Sequence, residues 1–200
     1  MNALTASQPG NQTGGIHCGS LHARLRQTTA DLHRRSEAVL DLPTKLTDLA
    51  GYVSLLDVLW RFHAGYERAL RHAHLAAEFQ SLCLCKADWI AEDLCYLGCA
   101  PRGDPIDVAL DGRLDALGSL YVIEGSMLGG RYIGKRAAQA LGVSPWRGAR
   151  FFHGYGELAR SMWKEFVCDL NSVPATGSPA DRVEASSCRA FQAFIGSASR

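Results

Sequence analysis

The sequence predicts an all-α single domain, and three observations carry that prediction. Apolar residues recur at helical spacing in nearly every stretch after residue 20. No alternating apolar–polar run is longer than a few residues, so nothing reads as a half-buried strand. The chain has 200 residues and is 47% hydrophobic, enough for one large core and no more than one domain with a tail.

Residues 1–19 are rich in Gly, Asn, Gln, Thr and Ser and predict a disordered tail ahead of a domain over 20–200. Leu21, Leu25, Thr28, Leu32, Ser36 and Val39 form one stripe of a first helix, which ends at Leu42-Pro43 because a residue before proline avoids helical geometry. A second helix runs from about Thr47 to His74, with Tyr52, Leu55, Leu56, Leu59, Phe62, Tyr66 and Leu70 inward. A third covers about Lys86 to Leu97, followed by a Gly/Pro-rich loop over 98–107. A long helix from Leu114 to Leu141 carries several glycines, which predict a bend or break near Gly129-Gly130, and Gly142 and Pro145 terminate it. Two more helices follow, over about 156–170 and 180–195.

The charge balance excludes several function classes. With 21 basic and 20 acidic residues the formal net charge is +1, which implies neither nucleic acid nor an anionic membrane surface as partner. No apolar run is long enough to span a bilayer, and the first 20 residues lack the basic and apolar regions of a secretory signal, so a cytoplasmic location is expected. Seven cysteines without a Cys-x-x-Cys predict mostly reduced, half-buried side chains and no disulfide framework.

The segment LDALGSLYVIEGSMLGGRYIGKRAAQAL holds five glycines, at Gly118, Gly125, Gly129, Gly130 and Gly134. Each costs a helix interior about 1 kcal/mol relative to alanine. Glycine offers in return a backbone on which another surface can lie directly, either a second helix or a flat ligand. The pattern does not choose between them. On the first helix, His33 stands off the apolar stripe, on a face with Thr29, Ala30, Glu37 and Leu40. A carboxylate four residues away can orient a metal-binding imidazole, and it equally suits a surface histidine with an acidic neighbour. Taken together, a helix presenting one histidine and a helix stripped of side chains would wall a slot for a planar metallated macrocycle.

The segment LGSLYVIEGSMLGGRYIG (117–134) resembles the distal-helix signature of bacterial heme oxygenases, and LRQTTADLHRRSE (25–37) resembles their proximal-helix motif. FFHGYGELARSMWKEF (151–166) is similar to a block typical of members that supply biliverdin to bacteriophytochromes. The resemblance runs from about Leu21 to Phe194 and implies the heme oxygenase type of helical bundle. It implies His33 as proximal iron ligand and Glu37 as its support. Gly125, Ser126, Gly129 and Gly130 would lie over the distal face near O2. Arg26 and Tyr121 would meet a heme propionate, Thr29 would line the slot, and Arg160 could reach the second propionate. Ser126 stands where animal members have an aspartate, and a hydroxyl can hold a water but carries no charge. The implied reaction cleaves heme, at once cofactor and substrate, with O2 and an external electron donor such as ferredoxin or a flavoprotein reductase. Its products are biliverdin, CO and free iron, and a bacteriophytochrome is a possible biliverdin acceptor.

Two rivals share these features. A heme carrier or sensor would show the same histidine and glycines without turnover. A thiamin-degrading enzyme on a similar helical fold would need a cysteine nucleophile with nearby acids, and none of the seven has such a partner in sequence. His63 and Glu67 repeat the His33–Glu37 spacing, but a di-iron bundle uses Glu-x-x-His, which this chain lacks. His72, His74, Cys83 and Cys85 match no zinc spacing. Phe151, Phe152, Tyr155, Trp163 and Phe166 read as core, and His153 has no role.

Overall fold

The computed structural model describes residues 19–79, 81–82 and 84–199, so all of the expected tail except Gly19 lies outside the described residues. Within them nine α-helices succeed one another and no named strand occurs, in agreement with the all-α expectation. They are α1 (Leu21–Thr28), α2 (Ala30–Leu40), α3 (Leu42–Lys45), α4 (Leu49–His72), α5 (Lys86–Tyr96), α6 (Arg113–Leu141), α7 (Arg150–His153), α8 (Ala159–Leu170) and α9 (Ser178–Ala198).

Local chemistry sets the boundaries. The Ser20 side chain accepts a hydrogen bond from the Ala23 backbone N at 3.2 Å and opens α1. The first helix is two helices rather than one. At Thr29 the backbone leaves helical geometry (φ −94°, ψ 1°), and the buried hydroxyl donates to the Leu25 carbonyl at 2.7 Å. Asp41, at φ 43°, ends α2, and Pro43 then sits in the first turn of the short α3 instead of closing the chain into a loop. Asp48 caps α4 by accepting from the Gly51 N at 2.7 Å. Gly112 (φ 87°) and Gly142 (φ 72°) bracket α6, which runs unbroken through Gly129 and Gly130, so the expected break does not occur.

α6 is the central element and packs along α9. Gly118 makes this possible, because a Cβ there would overlap the Val183 carbonyl oxygen and lie 2.7 Å from Ser186 Cβ. The Ser187 hydroxyl donates to the Gly118 carbonyl at 3.0 Å, and Ser186 donates to the Asp115 carbonyl at 2.6 Å. Arg182 and Arg189 of α9 both reach the buried Asp115 carboxylate, at 3.1 and 3.2 Å, and hold it below the usual carboxylate range against the opposing effect of burial. Leu56, Leu70, Ile90, Leu94, Leu117, Leu120 and Val183 fill the core these helices enclose. The reduced state expected of the cysteines holds for Cys95, Cys99, Cys168 and Cys188, whereas Cys85 is disulfide-bonded. Among the described residues no helix is long and apolar enough to cross a membrane.

Candidate functional site

A cavity of about 630 Å³ opens between α2 and α6, a size in the range of small-molecule and cofactor pockets. The break at Thr29 sets the direction of α2, whose Ala30, His33, Ser36 and Glu37 supply one wall. The opposite wall is α6, through Tyr121, Gly125, Ser126, Gly129 and Gly130. Leu55, Leu59, Phe62 and His63 of α4 close a third side, with Phe151 and Phe152 from α7 and Phe191 and Phe194 from α9. Arg26, Thr29 and Tyr121 also border this space. Arg160 does not: it is exposed on α8 and lies outside the lining.

The five glycines divide by neighbour. Gly118 meets α9, as described. A Cβ on Gly134 would stand 3.0 Å from Phe152 Cβ, and one on Gly130 would stand 3.3 Å from the Phe152 carbonyl oxygen. Gly125 has only ordinary contact room against Trp163, at 3.5 Å, and around Gly129 nothing lies within 4 Å. Gly118, Gly130 and Gly134 therefore serve packing. Among the described residues Gly129 serves no packing, and a bare helix backbone there faces open cavity. Such an unfilled cradle fits a flat ligand lying on the helix.

Across the cavity the His33 ring is open, with 61% of its side chain exposed and Nδ1 3.6 Å from Glu37 Oε1. With the carboxylate beside Nδ1, Nε2 is the nitrogen that can take a metal. Phe191 meets the same ring edge-on at 6.0 Å. Ser126 bonds its own helix, donating to the Ile123 carbonyl at 2.7 Å. Burial pushes the Tyr121 phenol up, partly offset by Thr29 and Arg26.

Three groups in or near the site were not placed there by the sequence reading. His22 lines the cavity beside Arg26 and packs edge-on against Trp163 and Tyr121, at 5.7 and 6.2 Å between centroids. Burial, then Arg26, lowers its pKa. Its position four residues before Arg26 on a predicted helix was an available signal. His63 is 2% exposed, lines the cavity, and has no partner for Nδ1 among the described residues. Burial, followed by the charge of Lys86, lowers its pKa to about 3, so the ring is neutral. Behind α6, Lys86 Nζ lies 2.7 Å from Glu124 Oε1, with the two side chains 1% and 2% exposed. The aromatic segment is more than core, since Phe151, Phe152 and Trp163 line the cavity as well as packing. Among the described residues no group of three or more His, Cys, Asp or Glu is arranged to hold a metal, which leaves the di-iron and zinc alternatives without a ligand cluster there.

The family model described as heme oxygenase matches residues 108–199, the part that carries α6. The heme oxygenase PigA of Pseudomonas aeruginosa is 31% identical over 153 residues, covering 75% of this chain and 77% of that protein. The solved structure of the NO- and CO-bound heme oxygenase from Neisseria meningitidis superposes with a TM-score of 0.77 over 90% of each chain, at 21% identity, a likeness of fold.

Proposed function

This chain belongs to the heme oxygenase family, and on that premise we propose how its own residues hold heme and direct its cleavage. The protein is an enzyme that degrades heme to biliverdin. One observation carries the assignment of parts: His33 and the unfilled backbone of Gly129 line opposite walls of a single cavity.

When bound, heme supplies both the iron redox chemistry and the ring that is opened. His33 would hold the heme iron through Nε2, and Glu37, 3.6 Å from Nδ1, would steer the ring. An imidazole ligand would suit oxidation of the ring itself, where a thiolate would favour O–O cleavage. Gly125, Ser126, Gly129 and Gly130 bound the opposite face, where the missing side chains at Gly125 and Gly129 leave room for O2. Apolar Leu55, Leu59, Phe62 and Phe194 exclude water from the macrocycle faces. Arg26 and Tyr121 take a propionate at the rim, a charge-assisted contact that fixes how the ring is turned. Arg160 stands outside the wall, and the second propionate is left to groups nearer the rim such as His22. CO and free iron leave with biliverdin. An external reductant, ferredoxin or a flavoprotein reductase, supplies electrons in the cytoplasm, and a bacteriophytochrome is a fitting acceptor for the product.

The test is an absorption time course of protein mixed with hemin, then supplied with ascorbate or ferredoxin and its reductase in air. A Soret band that decays as a broad red biliverdin band grows is the expected result. A Soret band that persists would make this chain a heme carrier. His33→Ala is expected to lose the wild-type Soret complex and turnover together; retention of both would remove His33 from the iron.

A further inference from the structure

The four-residue helix α7 carries Phe151 and Phe152 into the cavity wall, yet it is too short to hold itself in place. A single turn closes few hydrogen bonds of its own, and the first N–H groups of any helix need outside partners. Ala149, at its N-cap, offers no side-chain acceptor. The partners come from α5 instead. Asp93 Oδ1 accepts from the Arg150 N at 2.6 Å, and Oδ2 accepts from the Phe151 N at 2.9 Å. Two further side chains hold the same segment. The Tyr52 hydroxyl of α4 donates to the Gly148 carbonyl at 2.7 Å. The Arg150 guanidinium stands 4.0 Å over the centre of the Trp89 ring, one turn before Asp93, and donates to the Gly154 carbonyl at 2.8 Å. On its other side α7 lies against α6, with Phe152 packed on the bare backbone of Gly130 and Gly134. One short helix, pinned from α4 and α5, thus reaches the glycine segment of the site.

Capping alone does not explain Asp93. It is 2% exposed, and burying a carboxylate is costly. A serine or aspartate at position 149 would satisfy such N–H groups locally. What an acceptor on another helix adds is location, because α7 must then stand where α5 puts it. Phe151 and Phe152 share the cavity lining with Gly129 and Gly130, so that location sets the room beside the bare backbone.

Resting on the heme oxygenase reading above, we propose that Asp93 is a positioning residue of the reaction: through the backbone of α7 it fixes how far Phe151 and Phe152 stand into the cavity, and so which edge of the macrocycle meets O2. A displacement of about 1 Å at a reacting centre can change a rate about a hundredfold. A small drift of α7 is therefore enough to redistribute attack around the ring.

The deciding variant is Asp93→Asn, which keeps the size and one acceptor but turns an amide NH2 toward an N–H that the carboxylate had bonded. Two readouts are needed. The first is hydrogen exchange in protein without heme. The Arg150 and Phe151 amides are expected to exchange at least about tenfold faster in the variant, relative to those of α9. The second is the biliverdin isomer mixture formed from hemin, in which the minor isomers are expected to rise severalfold. Tyr52→Phe, which loses only the hydroxyl on Gly148, is expected to shift the mixture in the same direction, and it decides the matter if Asp93→Asn does not fold. Asp57→Asn is the control: Asp57 is a buried carboxylate that clamps Arg102 in the same two-pronged way, outside the cavity lining, and its loss is expected to leave the wild-type mixture. An unchanged mixture in folded Asp93→Asn, or an equal shift in Asp57→Asn, overturns the proposal and leaves Asp93 a helix cap. Without a folded Asp93→Asn, an unchanged mixture in Tyr52→Phe overturns it. Wild-type protein that forms no Soret complex overturns the functional reading instead, and the exchange measurement still decides whether Asp93 holds α7.

Discussion

His33 and Glu37 are both more than half exposed, and their contact is 3.6 Å, so the pair is weak in the protein as it stands. The carboxylate matters to the site through orientation. Removing a group that orients a metal-binding histidine costs 10–100-fold in affinity when it is firmly held. Here the looseness of the pair puts Glu37→Gln at the low end. Hemin affinity should fall about tenfold or less, with the Soret position kept, as read by hemin titration. Loss of the wild-type spectrum in that variant would mean that Glu37 does more than steer. Arg26 acts differently, by charge at an exposed rim. Arg26→Ala should weaken hemin binding by about 1 kcal/mol, roughly fivefold. Added salt should weaken wild-type binding more than that of the variant, because salt screens exposed charge. Equal salt dependence in both would remove Arg26 from the propionate.

At the level of elements, α6 shows how one sequence signal can hold two meanings. Its glycines are interchangeable in the sequence, since both tight packing and ligand contact ask for a missing side chain. Only the neighbours separate them. Gly118→Ala should destabilise the fold by about 1–3 kcal/mol through overpacking against α9, with hemin affinity nearly unchanged. Gly129→Ala meets no atom within 4 Å and replaces a poor helix former, so it should raise the stability of the heme-free protein by up to ~1 kcal/mol while lowering hemin affinity or turnover. Urea denaturation paired with hemin titration on both variants checks this. A Gly129→Ala protein that binds and cleaves hemin as wild type does would show that the bare backbone is not part of the site. The same contrast marks what was legible beforehand. Apolar periodicity located the long helices, and the density of glycine on α6 pointed to its role. The break at Thr29 was invisible because the apolar stripe runs across it, and the cause is a side-chain hydroxyl bonding back to Leu25. Lys86 was invisible for the opposite reason: a lysine in a helix's first turn reads as solvated, and only the tertiary approach of Glu124 and Tyr155 buries it.

For the whole molecule, two buried groups near the cavity set opposing responses to acid. His63 is neutral in the fold, with its pKa lowered to about 3, and in the unfolded chain it takes a proton below about 6.5. Between those values the unfolded state binds more protons, so stability falls as pH drops, and by pH 5 this group alone removes about 2 kcal/mol. Asp93 runs the other way. Burial raises its carboxyl to about 6, although it accepts from the Arg150 and Phe151 backbone N at 2.6 and 2.9 Å, anchoring the start of α7. Between about 3.8 and 6 the folded state binds the extra proton, so acidification to pH 5 returns about 1 kcal/mol. The histidine shift is the larger, and the pair together should cost the protein roughly 1 kcal/mol between pH 7 and pH 5. Urea unfolding at both pH values tests the split. His63→Leu should lose the histidine's share, so that its stability holds or rises slightly at pH 5. Asp93→Asn should lose the compensation, so that its acid loss exceeds that of wild type. If His63→Leu falls with pH as steeply as wild type, the imidazole is not held neutral in the fold.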